Sequence, residues 1–318
     1  MSSCCILRMP ASCGELFQGR ILGKEKLISY PVNLYNYLTL EKRRGKAFNI
    51  KKENRFYNLP DKMLSLIKTA ACDLGVTTSL LAEYSWQHRQ LIPAGKGLAS
   101  STADLMLALT ALSLISRQML SYQDILDYLT AIEPTDSIIF PELTLLEQNN
   151  GSYWQQIGQP EGKVKVFALA QRGFCDTLNH RKLRNKIPDV TESWQLFQQG
   201  VEEQDWFLIG KAATFSARAW QQHLYYPGLE KIITLAEKKG CLGVNIAHSG
   251  NVLGILYQPH KVNIDGLKSA LITSELKSYY PVSWDFELVK GGVEIFLDNR
   301  QQFDKINFTG YLSDNPVI

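Results

Sequence analysis

Between Pro93 and Asp104 the chain reads Pro93-Ala94-Gly95-Lys96-Gly97-Leu98-Ala99-Ser100-Ser101-Thr102-Ala103-Asp104. Gly95 and Gly97 allow positive φ and a close approach of backbone to a ligand. Three hydroxyl side chains, Ser100, Ser101 and Thr102, stand where a helix should begin. A helix start presents unpaired N–H groups and partial positive charge, and both attract phosphate. The hydroxyls add hydrogen bonds, and one of them can ligate Mg²⁺. Residues 93–103 therefore read as a phosphate-binding loop. A plainer alternative stays open on these residues alone: the glycines serve a tight turn and Ser100 caps a helix. Better-known loops do not fit. A Walker A needs Lys followed by Ser or Thr, and Lys96 is followed by Gly97; a dinucleotide fingerprint needs a third Gly or Ala where Ser100 stands. The H-R-D and D-F-G motifs of protein kinases are absent.

The elements that must position this loop can be read from periodicity. Ala82–Gln87 alternates apolar and polar and predicts a strand leading into the loop. Ser100–Ser116 predicts a helix apolar nearly all round, hence buried. Ser121 with Asp124 forms a capping-box signature for the next helix, which Pro134 should stop. Upstream, Ile6-Leu7 is a short apolar run and Ala11–Glu15 reads as a polar turn. Lys26–Tyr30, Tyr35–Glu41 and Phe48–Lys51 read as strands. Asp61–Leu74 reads as a helix with Gly75 as its stop. Downstream, a strand is expected at Val164–Leu169 and helices at Thr191–Glu202, Trp206–His223 and Leu229–Lys239. Two strands, Gly243–Ala247 and Val252–Tyr257, should enclose the turn His248–Asn251. A last helix is expected at Ile264–Ser274, then strands at Val282–Val289 and Val293–Leu297. Helices and strands mix without a strict βαβ rhythm, so the fold class is α+β.

Bulk composition narrows the function. The 318 residues suffice for two domains, and 45% hydrophobic with 20% charged residues is ordinary for a globular protein. The net charge of +3 is too small for a nucleic-acid footprint. The six cysteines show no C-x-x-C pair and no zinc spacing, which suits reduced thiols in a cytoplasmic protein. The N-terminus lacks a long apolar core, and no apolar run reaches the length of a membrane span.

Pro-x-Gly-x-Gly-Leu-x-Ser-Ser-x-Ala resembles the second signature motif of the GHMP kinases, which include galactokinases, homoserine kinases and mevalonate kinases. Met9-Pro10-Ala11-Ser12-Cys13-Gly14-Glu15-Leu16 resembles the first motif. Gly240–Asn251 resembles the third, departing from it at His248 and Asn251, where small residues or proline are more usual. Within the family, P-A-S-C-G-E-L-F-Q-G, G-K-G-L-A-S-S-T-A-D and E-P-T-D-S are most similar to the L-threonine kinases of cobalamin synthesis and propanediol utilisation.

The resemblance implies a two-domain fold. Residues 1–150 would form the ATP-binding domain, ribosomal S5 domain 2-like with a left-handed βαβ unit, and residues 151–318 a ferredoxin-like C-terminal domain. It implies ATP and Mg²⁺ as cofactors and L-threonine as acceptor, with homoserine as the nearest alternative. Ser101 and Glu133 become the metal ligands. Ser101, Glu133 and Asp136 become the catalytic set, with Asp136 a base or a contact for the substrate ammonium. Ser12, Glu15, Asp136, Ser249 and Gly250 become substrate-side residues. Each has a simpler role available: a solvated helix-end charge for Glu133, an N-cap for Asp136, a turn for Ser12 and Glu15. Lys96 would neutralise phosphate or extend to solvent. The expected partners are small molecules only, without nucleic acid or membrane, and the expected assembly is a monomer or homodimer.

Overall fold

The computed structural model describes residues 4–21, 23–43, 59–172, 187–299 and 302–307. The strand predicted at Phe48–Lys51 lies outside the described residues.

The chain begins with one long antiparallel hairpin. Strand β1 (Cys4–Ile21) pairs with β2 (Lys24–Lys42) from Cys4↔Glu41 down to Ile21↔Lys24. The expected polar turn at Ala11–Glu15 is instead part of β1, and the two strands expected at 26–30 and 35–41 are one. The turn-like composition marks bulges rather than a reversal. The register shifts at Pro10/Ala11, Ser12/Glu15 and Glu15/Phe17, and Gly14 takes φ +74°. A bulge bends a strand and re-aims side chains without ending it, and Glu15, flanked by two register shifts, still pairs with Ser29.

Helices α1 (Asp61–Asp73) and α2 (Thr78–Ala82) precede β3 (Tyr84–Arg89), which pairs with β2. Gly75 takes φ +64° just past α1, as its stop signal requires. Helix α3 (Ser100–Ser116) is buried along nearly its whole length and packs against α1, α4, β1 and β2. Its fully buried leucines Leu105, Leu107 and Leu112 each contribute about 1.5–3 kcal/mol of apolar burial. Helix α4 (Tyr122–Ile132) starts on the Ser121/Asp124 capping box and ends before Pro134. A 3₁₀ turn (Ser137–Ile139) follows, then β4 (Thr144–Leu146) and β5 (Trp154–Gln156).

The second half contributes β6 (Lys165–Ala170), α5 (Thr191–Glu202), α6 (Trp206–Trp220) and α7 (Leu229–Lys238). It continues with β7 (Gly243–Ile246), β8 (Val252–Tyr257), α8 (Ile264–Ile272), α9 (Leu276–Tyr279) and β9 (Val282–Glu287). Strands β10 (Glu294–Asn299) and β11 (Gln302–Asn307) close the described chain. The strands hydrogen-bond in the order β5-β4-β2-β1-β7-β8-β6-β9, with β3 on β2 and β10 between β1 and β11. All of these pairings are antiparallel.

One apolar cluster fills the space under α1, α3 and α4. A second gathers Trp220, Tyr226, Ile232 and Ile255 under α6 and α7. Strand β1 joins the two halves, pairing Glu15 with Ile246 of β7 and Cys5–Arg8 with residues 294–297 of β10. No helix among the described residues is long and apolar enough to cross a membrane.

Candidate active site

The glycine loop runs from β3 into the buried start of α3. Its approach is fixed by Asn36, whose Oδ1 accepts the N–H groups of Leu91 and Ile92, both at 2.8 Å. The Asn36 amide donates to Asp104 Oδ1 at 2.7 Å, and the same oxygen meets His88 Nε2 at 2.8 Å. Strands β2 and β3 and helix α3 are thus tied together behind the loop. Within the loop, Gly95 and Gly97 take φ +67° and +80°, as anticipated. Ala99, at the N-cap of α3, is also left-handed at φ +56° and provides no side-chain cap. A non-glycine residue there costs about 1–2 kcal/mol, a strain typical of ligand sites. Because Ser100 turns its hydroxyl back to Ile92 O (3.3 Å), it is not the cap. The first N–H groups of α3 are left to a ligand.

The third motif closes against this loop. A Cβ on Gly250 would stand 2.3 Å from Gly97 Cα, and one on Gly97 would stand 2.6 Å from Ala247 Cβ. Asn251 N–H donates to Lys96 O at 3.1 Å. Two backbones pass so closely that only glycine fits at the crossing.

Together these segments wall a cavity of about 710 Å³. Pro93, Ala94, Gly95, Gly97, Leu98, Ala99, Ser100, Ser101 and Thr102 line it, as do Glu15, Glu133, Asp136 and Ser249. The remaining sequence candidates stand behind this surface. Ala103 is buried in the core. Lys96 donates its ammonium to Gln171 O at 3.2 Å. Ser12 is buried, and its N–H bonds Leu98 O at 3.1 Å, which fastens the first motif to the loop. Gly250 serves the backbone crossing.

Asp136 precedes the 3₁₀ turn, which is pinned by Ser29 N–H donating to Ser137 Oγ at 2.8 Å. Its carboxylate accepts from Ser29 Oγ (3.2 Å) and Thr102 Oγ1 (3.3 Å). Burial outweighs those bonds and pushes its pKa up to about 6. Glu15 is held well above the usual carboxyl range by burial first and the Asp136 charge second; the His248 N–H pulls the other way. That N–H donates to Glu15 Oε2 at 2.6 Å. Burial likewise pushes the Cys13 thiol up to about 12, which suits an inert thiol.

The lining also includes polar and aromatic residues that carry no sequence motif, among them Lys62, Glu25, Gln148, Asn149 and Trp220. Glu25 on β2 accepts from Gln148 Nε2 (3.4 Å) and Asn149 Nδ2 (3.3 Å). His248 stacks edge-on against Trp220 with centroids 5.3 Å apart. Its Nδ1 meets Gln18 Oε1 at 2.9 Å, and its Nε2 meets Gln148 at 2.8 Å and Glu25 at 3.4 Å. A polar wall thus stands on the same cavity as the glycine loop.

The metal reading can be tested on Ser101 and Glu133. No group of three or more His, Cys, Asp or Glu side chains suited to a metal occurs among the described residues. Mg²⁺ asks for less: one or two protein oxygens, with phosphate and water for the rest. Ser101 Oγ and a Glu133 carboxylate oxygen converge on a single cation, the Lys62 ammonium. Their geometry and donor chemistry therefore fit a cation site. Glu133 also lies just past the C-terminus of α4, where a carboxylate is unfavourable without a cation.

The model of the GHMP kinase C-terminal family matches residues 197–274. An L-threonine kinase of Citrobacter freundii is 31% identical over 297 residues, spanning 91% of this chain and 99% of that protein. The chain belongs to the GHMP kinase family. An L-threonine kinase of Salmonella typhimurium is 30% identical over 296 residues, spanning 91% of this chain and 95% of its own length. Among solved structures, a homoserine kinase from Cytophaga hutchinsonii superposes with a TM-score of 0.67 at 15% identity, covering 93% of this chain and 98% of that one. The fold is thus the α+β GHMP kinase fold, and the protein is a small-molecule kinase.

Proposed function

We propose that the protein transfers the γ-phosphoryl group of ATP to the side-chain hydroxyl of L-threonine, giving ADP and L-threonine O-3-phosphate. We assign the product to the aminopropanol arm of the cobalamin nucleotide loop. The reading is carried by one observation: Asp136 faces the same cavity as the glycine loop and bonds Thr102 in the first turn of α3. A proton acceptor thereby adjoins the phosphate site. Threonine is favoured over other hydroxyl acceptors by the two L-threonine kinases at 30–31% identity.

In this mechanism residues 93–102 and the start of α3 hold the triphosphate through backbone N–H groups and hydroxyls. Ser101 and Glu133 would hold Mg²⁺, which would supply positive charge against the triphosphate. The threonine oxygen attacks the γ-phosphorus in line, and the bond to the β–γ bridging oxygen breaks. The hydroxyl proton passes to Asp136, whose pKa of about 6 is near the working range of a general base. For the substrate ammonium, Glu25 is a better partner than Glu15. Both carboxylates line the cavity and both have protein partners, but Glu15 is held toward its neutral form by burial.

ADP release measured across L-threonine, L-serine and L-homoserine tests this reading. The highest kcat/KM should belong to threonine. A preference for homoserine would replace the substrate assignment, and no stimulation by any of the three would overturn it.

A further inference from the structure

Lys62 is the second residue of α1, and no signature motif includes it. Its side chain is 52% exposed, yet the ammonium is not simply solvated. It donates to Ser101 Oγ at 3.0 Å, on the first turn of α3, and pairs with the Glu133 carboxylate beyond the end of α4. Three helices therefore meet at one lysine nitrogen. An exposed ion pair stabilises a fold little, so a purely structural staple is a weak account of this convergence. Pro60 and Lys62 also line the cavity that contains the glycine loop. The four-carbon stem of lysine is flexible and can carry its charge from one side of a site to another.

The two oxygens that Lys62 grips are the two assigned above to the metal. A divalent ion must lie about 2.0–2.1 Å from such oxygens, and an ammonium hydrogen-bonded to the same oxygens would lie beside it with like charge. The two cations therefore exclude each other. We propose that Lys62 is the exchangeable counter-ion of the metal site: it holds Ser101 and Glu133 in register, yields them to the divalent ion, and then pairs with the nucleotide phosphates in the same cavity. This rests on the metal role of Ser101 and Glu133, and the two ideas are separable by experiment. The exchange keeps the Glu133 charge compensated throughout. It also gives metal-free nucleotide a cation to bind.

The test uses the full-length protein with Lys62→Met, which keeps the stem and removes the charge, Lys62→Arg, which keeps the charge, and Glu133→Gln. Two readouts precede any turnover. Mn²⁺ binding without nucleotide is followed by the electron paramagnetic resonance of the free ion. ATP binding in EDTA is followed by calorimetry. Lys62→Met should bind Mn²⁺ about tenfold more tightly and metal-free ATP about tenfold more weakly, the scale of coupling between two ligands of one site. Lys62→Arg should restore ATP binding in EDTA. A merely structural lysine would move neither quantity in opposite directions. Unchanged Mn²⁺ binding in Lys62→Met, with Glu133→Gln weakening it, would overturn the exchange and leave the metal site standing. Unchanged Mn²⁺ binding in Glu133→Gln would overturn the metal assignment, and the exchange with it.

Discussion

Replacing Asp136 by Asn should make the enzyme slower and the fold more stable. The side chain keeps its size, and its amide oxygen can still accept from Ser29 or Thr102. What disappears is a carboxylate raised from an ordinary 3.8 to about 6, chiefly by burial. Because the folded-state value lies above the unfolded one, the ionised group destabilises the fold. The cost is absent below about pH 3.8, grows as pH rises toward 6, and is complete above it. A rise of that size corresponds to roughly 3 kcal/mol as an upper bound, and partial solvent contact reduces it, so Asp136→Asn should gain about 1–2 kcal/mol at pH 7–8. The same change removes the proposed base and should lower kcat about 10²–10⁴-fold. Thermal melts at pH 4.5 and 7.5 read the first effect, with the gain shrinking at the lower pH. Coupled ADP release from pH 5 to 9 reads the second: the wild type should lose kcat/KM as pH falls through about 6, and the variant should lack that limb. A variant within threefold of wild-type kcat, or one that melts lower at pH 7.5, would refute the reasoning.

Other expectations follow from the same geometry. Gly250→Ala places a methyl 2.3 Å from Gly97 Cα, backbone that cannot step aside. It should cost about 1–3 kcal/mol of stability and weaken ATP binding, read by melting and calorimetry. Asn36→Ala strips the acceptor from the Leu91 and Ile92 N–H groups; about 1–3 kcal/mol should be lost, with KM for ATP rising more than KM for the acceptor. Serine lacks one methyl of threonine, a difference worth about 1–3 kcal/mol. Serine should therefore remain a measurable but poorer acceptor in paired kcat/KM measurements.

The helices were legible in the sequence because their signals are local. The Ser121/Asp124 box opens α4, Gly75 follows α1 and Pro134 follows α4, each acting within one turn, and α1, α3 and α5 start at the residues that the sequence pattern predicted. The long hairpin was not legible, because Gly14 and the polar run around it carry turn chemistry that the strand uses as bulges. The glycine-loop side of the cavity was readable for the same local reason: one contiguous loop supplies both its glycines and its hydroxyls. The facing wall was not. Glu25, Gln148, Trp220 and His248 come from four distant segments, and no spacing rule links them before the chain folds. Lys62 was hidden in the same way, as an ordinary surface lysine at a helix start until α3 and α4 bring Ser101 and Glu133 to it.

The most direct test of the proposed function is the ³¹P spectrum of the protein incubated with ATP, Mg²⁺ and L-threonine. The account requires a phosphomonoester resonance matching authentic L-threonine O-3-phosphate, growing in step with ADP and depending on both threonine and the Asp136 carboxylate. ADP and inorganic phosphate appearing alone, at a rate indifferent to threonine, would contradict it.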